Sequence, residues 1–287
     1  MKLLCFERDN VTYASPTGNN GKGHAYSASF EFYPFHEGAT YALYKGVFVG
    51  SGARSGQFCV VRSHLDTKST DKDWEMFINR SAEARRLAVE FNRSIGHVAI
   101  LFEEPMLTAV DSISDFSSLF RIFKPHDKRL EPRESVVVEP FLEGEFKKDN
   151  YPSVISQQTT KSNRRKQSGS SAKMAERGSK SALHQQQLHD VASAFSHFTW
   201  LHSNHKLLVS GIQGVYDPDH SVFRFCNPVI HSTDRAFGET DGASEGITNF
   251  LTAHRCSNTC TAFKCRTGLD LNIYQPQTCD KLIPVMS

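Results

Sequence analysis

Three residues of the kinds that bind zinc, His254, Cys256 and Cys260, fall within the short stretch "HRCSNTC". A tetrahedral ion needs a fourth ligand. Two thiolates and two imidazoles would close its shell, leave no position for water, and so make a structural rather than a catalytic site. The spacing alone is served equally well by two buried thiols and a core histidine. A second place to look for chemistry is "GIQG" at Gly211 to Gly214, followed by "CNPVIH" from Cys226 to His231 and the glycine-rich "FGETDGASEG" from Phe237 to Gly246. A glycine-rich loop by itself usually only turns the chain.

These residues need a scaffold. With 287 residues and 39% hydrophobic content, the chain suits one two-lobed domain or two small ones with a substantial core. The opening "MKLLCFERDN" lacks the pattern of a signal peptide, and no apolar run approaches the roughly 20 residues of a membrane helix. No membrane partner is expected. Seven cysteines, an odd number scattered along the chain, do not form a disulfide framework, which points to the cytoplasm or nucleus, and Cys265 and Cys279 are expected as free thiols. The net charge of +2 is uneven: residues 156–187 carry seven Lys/Arg against one acid, a local +6 that leaves −4 on the rest. That Ser/Gln/Lys-biased segment reads as a disordered, solvated insert, so the basic pI is no argument for a nucleic-acid partner.

Around the insert the periodicity is readable. "ASFEFY" (28–33), "ATYALYKGVFVG" (39–50) and "QFCVVRS" (57–63) alternate as strands of an antiparallel sheet. Trp74, Phe77, Ile78, Ala84, Leu87, Ala88 and Phe91 recur at helical spacing and form an amphipathic helix for that sheet, with Asp73 as the expected N-cap. "HVAILFE" (97–103) and "SVVVEPFL" (135–142) follow as strands; then Leu188, Val191, Ala192, Phe195 and Phe198 make a second helical stripe, and "KLLVSGIQGV" (206–215) reads as one buried strand. The predicted class is α+β in two lobes: a tail (1–25), an amino-terminal lobe (26–141), a carboxy-terminal lobe (142–270) and a second tail (271–287).

"SAFSHFTWLHSNHKLLVSGIQGV", "NPVIHS", "FGETDGASEGITNF" and "HRCSNTC", preceded by "PFHEGATYALYKG", "CVVRS", "AEARRLAVEFN" and "VVVEPFLEGEF", resemble in order and spacing the atypical alpha-kinases, the family of elongation-factor kinase and the myosin heavy chain kinases. The resemblance covers about residues 30 to 268. It implies a two-lobed kinase fold, ATP and magnesium as cofactors, a structural zinc, and transfer of phosphate to serine or threonine of a protein substrate. It also implies a fourth zinc ligand at His231, in "NPVIHS", tying the last helix to the loop that carries the catalytic residues.

The remaining roles follow from the same resemblance. The phosphate-binding lysine falls on Arg62, which keeps the charge but offers a planar fork. Glu83, on the following helix, is equally readable as the partner of that cation and as a solvated helix glutamate, and Glu139 matches the acidic residue at the adenine edge. Gly211 stands where the family has the aspartate that orients the substrate hydroxyl. Gln213 is retained as a magnesium ligand, and Asn227 replaces the magnesium-binding aspartate. Gly238, Gly242 and Gly246 match the glycine-rich loop near the substrate. Two readings follow: an active kinase in which Asp217 or Asp219 fills the vacant acidic role, or a pseudokinase that serves as a nucleotide-binding or docking module.

Overall fold

A computed structural model describes residues 12–14, 26–31, 33–50, 52–65, 68–112, 130–148 and 171–267. The first of its sheets has seven antiparallel strands in the order β2 (Tyr26–Phe30), β1 (Thr12–Ala14), β7 (Met106–Ser112), β8 (Ser135–Pro140), β5 (Phe58–His64), β4 (Tyr41–Gly50), β3 (His36–Glu37). β2 also pairs with β4, so the sheet curls back on itself. Alternation sets its inner face: Tyr26, Ala28, Phe30, Tyr44, Phe48, Cys59, Val61, Val136 and Val138 form one hydrophobic core. The other face presents Leu43 opposite Arg62 and Arg62 opposite Val137, with Glu139 two residues further along β8.

α1 (Asp71–Ile95) serves two cores. Its N-terminal turns lay Trp74 and Phe77 on Val137 of the sheet, while Ala84, Leu87, Ala88, Phe91 and Ile95 join a second core. Thr70, rather than Asp73, is the N-cap; Asp73 sits in the first turn and its carboxylate accepts hydrogen bonds from the Thr70 N–H at 2.7 Å and the Thr70 hydroxyl at 2.9 Å. Gly96, at φ 84°, ends the helix. The next strand, β6 (Ile100–Phe102), leaves the first sheet and pairs in parallel with β12 (Val222–Cys226), in a four-stranded sheet ordered β6–β12–β11–β9, where β11 is Gln213–Asp217 and β9 is Lys147–Lys148. The second core therefore includes the later turns of α1 and β6, which the expected lobe boundary at 141 had assigned elsewhere.

α2 (Ser171–His202) buries Leu188, Ala192, Phe195 and Phe198 in that core. It begins inside the segment expected to be a disordered insert. Residues 171–187 are helical, and residues 156–170 lie outside the described residues. The good helix formers of "AKMAER" propagate a helix already held by its packed C-terminal half. Two short helices, α3 (Ala243–Ala253) and α4 (Asn258–Thr267), follow the last strands. No helix among the described residues is long and apolar enough to cross a membrane.

The expected single strand over 206–215 is two strands in two sheets. β10 (Leu207–Ser210) pairs with β13 (Val229–Ser232), whereas β11 pairs with β12. Both chains break at the same level, at Gly211 (φ 60°) and Asn227 (φ 48°). Left-handed residues on two facing strands bend the hairpin between the sheets, and glycine and asparagine occupy that conformation at least cost.

Candidate active site and metal cluster

The metal-capable residues do meet, with one replacement. His197 of α2, His254 at the end of α3, Cys256 in the following loop and Cys260 of α4 place their donor atoms within 4.8 Å of one another. Cys256 Sγ lies 3.7 Å from His197 Nδ1, and Cys260 Sγ lies 3.6 Å from His254 Nε2. Bond lengths of about 2.3 Å to sulfur and 2.0–2.1 Å to nitrogen put tetrahedral S···N edges at roughly 3.5 Å, so these spacings fit zinc. The other nitrogen of His254 meets the Ser193 hydroxyl at 2.7 Å, which orients the ring and leaves Nε2 toward the cluster. Hydrogen bonds from Cys260, His197 and His254 drive the Cys256 thiol down toward thiolate, while Cys260 is held up by Cys256 and by burial.

His231, the expected fourth ligand, is elsewhere. Its Nδ1 accepts the Gly242 N–H at 2.9 Å, and a Cβ at Gly246 would come within 2.5 Å of that same nitrogen. Gly242 and Gly246 are thus needed to wrap the loop around an imidazole, and Gly238 (φ 81°) lets the loop pass over Met76 of α1. Burial keeps His231 below the ordinary histidine range. Asp241 anchors the same loop: it accepts hydrogen bonds from the N–H groups of Ser232, Phe237 and Ala243 and from the Ser232 hydroxyl. Burial alone would raise Asp241, but those donors hold it below the usual carboxylate range. The signal for His197 was available in "SAFSHFTW": it is a polar residue on the apolar stripe of a helix, between Phe195 and Phe198.

On the sheet, Arg62 is buried and paired with Glu139, not with Glu83. Its Nη2 and Nε donate to Glu139 Oε2 at 2.8 and 3.2 Å, and its guanidinium carbon lies 5.3 Å from the Tyr41 ring centre and 5.0 Å from that of Phe77. Burial would lower the Arg62 pKa, but Glu139 overrides it and the guanidinium stays charged. Glu83 instead bonds Arg86, one turn along α1, at 2.7 and 2.9 Å on the surface. Glu139→Gln should therefore strand a buried cation and cost about 3–5 kcal/mol in urea unfolding, while the apolar pair Glu139→Leu with Arg62→Met should recover most of it. Equal stability of Glu139→Gln and wild type would show that the pair is not desolvated.

The bent hairpin brings the other candidates to one corner. Ser210 faces Val229 and Gln213 faces Cys226, so Gly211 and Asn227 lie between the same two rungs. The Gln213 and Asn227 side chains are half-buried and make no hydrogen bond to another described residue. Cys226, next to Asn227, interacts electrostatically with Glu139, Arg62 and Glu103, and burial pushes its thiol up to about 12. This links the hairpin corner to the Arg62–Glu139 pair. Asp217 and Asp219 do not reach the corner. Asp217 sits at the far end of β11, about 13 Å from Gln213 at strand rise, where it accepts the N–H groups of Asp219 and His220 and meets His220 Nδ1 at 3.0 Å.

Comparison with known proteins agrees with this arrangement. The alpha-kinase family model matches residues 36–260. Myosin heavy chain kinase B of Dictyostelium discoideum is 39% identical over 72 residues, covering 25% of this chain and 9% of that protein. Myosin heavy chain kinase A of the same organism is 31% identical over 126 residues, covering 43% of this chain and 8% of that protein. This chain therefore spans less than a tenth of either relative's length. Among solved structures, the alpha-kinase domain of myosin heavy chain kinase A in complex with ADP superposes with a TM-score of 0.58 at 20% identity, covering 93% of this chain and all of that one. Its apoenzyme form gives 0.60 at 19%, with the same coverage. With the family model spanning five of the seven strands of the first sheet, α1, the hairpin corner and the Cys/His cluster together, the chain belongs to the alpha-kinase family.

Proposed function

We propose that this chain binds ATP between the seven-stranded sheet and the corner of the β11–β12 hairpin, and transfers its γ-phosphate to serine or threonine of a protein substrate. The two cores then act as the two lobes of a kinase. The observation that carries this reading is the bend at Gly211 and Asn227, between the Ser210–Val229 and Gln213–Cys226 rungs, which gathers the unpaired amides of Gln213 and Asn227 at one corner. Those two amide oxygens are suited to hold magnesium, which would neutralise phosphate charge during transfer. Structures of the related domain with ADP and with ATP support a nucleotide as the ligand. Zinc at His197, His254, Cys256 and Cys260 would staple α4 to α2, and cytoplasm or nucleus is the compartment that suits the thiols.

A second reading is a nucleotide-binding module that transfers nothing, and the observation in its favour is the missing side chain at Gly211. The inactive form of the related domain solved with ATP carries an aspartate-to-alanine change. Family membership favours transfer. Incubation of the purified chain with γ-labelled ATP, a basic Ser/Thr peptide and magnesium, then manganese, separates the two. Label on the peptide is expected, and nucleotide binding without any label would select the second reading.

A further inference from the structure

The charge of Arg62 is already matched by a buried carboxylate. Its guanidinium is clasped by Glu139 and flanked by the Tyr41 and Phe77 rings, so a phosphate reaching it would have to displace a buried carboxylate. One turn after Phe77 on α1, Arg80 presents the opposite situation. It is 8% exposed, and its Nη1 donates to the Thr240 hydroxyl at 2.6 Å across to the glycine-rich loop. Its Nε has no hydrogen-bond partner. No carboxylate of the described residues lies within 4.0 Å of it. Tyr41, whose ring flanks Arg62, also interacts with Arg80, so the two guanidiniums stand near one another while Glu139 bonds only the first. Burial lowers the Arg80 pKa, Tyr41 opposes that fall, and the neighbouring Arg62 adds to it.

A buried guanidinium without an acid is costly, and its rigid fork matches a phosphoryl oxyanion. We propose that Arg80, held by Thr240, is the cation that receives the phosphates of the bound nucleotide, while Arg62 with Glu139 is the fixed wall behind it. The proposal rests on the ATP-binding reading above. It also accounts for the shape of the glycine-rich loop, because Thr240 orients Arg80 while Gly238 and Gly246 bring that loop against α1 and His231.

The test is the difference between adenosine and ATP affinity, measured by calorimetry on the full chain with magnesium. Arg80→Gln should weaken ATP and ADP by about 10- to 100-fold and leave adenosine unchanged, and Arg80→Lys should keep part of the preference. Equal loss for adenosine and ATP would make Arg80 a structural residue only and overturn the proposal, as would no loss for either. Arg80-dependent binding of inorganic phosphate, with ATP affinity independent of Arg80, would assign the cation to another phosphate and overturn it too. Wild type that binds neither adenosine nor ATP would remove the nucleotide reading itself, a result distinct from those three. If Arg80→Gln does not fold, Thr240→Val decides: it removes the hydroxyl that orients the guanidinium, and a selective loss of ATP affinity supports the proposal while an unchanged ATP-to-adenosine ratio overturns it.

Discussion

His197→Ala and Cys256→Ala should each leave the region of α2, α3 and α4 unable to hold its fold, while His231→Ala should leave the metal content of the protein unchanged. Metal analysis of the wild type is expected to find about one zinc per chain. The size of the effect follows from where the cluster sits. Cys260 opens α4, and Phe263 on the same helix packs against Phe91 of α1 and Phe198 of α2 at ring distances of 6.2 and 5.5 Å. Releasing α4 therefore opens the second core to water. Structural zinc contributes on the order of 10 kcal/mol to small domains. Even half of that is comparable with the whole stability of a typical fold, about 5–15 kcal/mol. His231 is the control, since its loss removes one hydrogen bond to Gly242 and loosens the loop without touching a thiol. A folded, metal-free preparation would defeat the assignment. So would a His231→Ala protein that loses zinc while His197→Ala retains it.

The second large effect concerns the vacant acidic position, where the structure changes what a restoring experiment must contain. Gly211→Asp with Asn227→Asp introduces both carboxylates that the sequence resemblance implies for these positions, but by itself it should yield a destabilised protein with little added transfer. Gly211 has φ 60°, and a Cβ there would stand 2.7 Å from Val229 Cγ2 and 3.0 Å from Val229 Cβ. The left-handed backbone costs about 1–2 kcal/mol, less for aspartate than for most residues, and the clash adds about 1–3 kcal/mol. Asn227 already tolerates φ 48°, so aspartate fits there with no change of shape. Adding Val229→Ala removes the nearer clash, and the triple variant should then transfer phosphate about 10²- to 10⁴-fold faster than the double variant, the usual contribution of an orienting acid–base group. Circular dichroism and ATP binding establish that each variant is folded and loaded before its rate is read. A triple variant that passes both checks and gains no rate shows that Gly211 and Asn227 do not occupy the orienting and metal positions.

The elements themselves were legible because their causes are local. The period-2 alternation of Ala42, Tyr44 and Phe48 and the helical spacing of Trp74, Phe77, Leu87 and Phe91 each describe one face of one element, and every one of those side chains is buried. The ordered motifs carried the family as well. What failed was the choice among partners. Three of four cluster residues lie within seven positions and were found; the fourth, His197, is 59 residues from Cys256 and was confused with His231, which has the same chemistry and an equally suggestive motif. Glu83 was readable either as the partner of Arg62 or as a solvated helix glutamate, and it is the latter; the partner is Glu139, 77 residues away, two residues along the neighbouring strand on the same face. The start of α2 at Ser171 was missed because composition describes a segment alone, whereas a helix anchored at one end extends into residues that would not nucleate it.

By itself, then, the sequence determined the α+β class, most of the elements, the family and the residue types of the site: two thiols, histidines, an arginine where the resemblance implies lysine, and a glycine and an amide where it implies carboxylates. The tertiary structure alone decided which histidine joins the thiols, which acid neutralises Arg62, that Arg80 has none, and that Gly211 turns a corner against Val229. Periodicity and capping are read from neighbours a few residues apart, and they fix faces and ends. Partnerships across 59, 77 or 160 residues depend on strand register and on which helix crosses which sheet, and these are settled by packing the whole core at once.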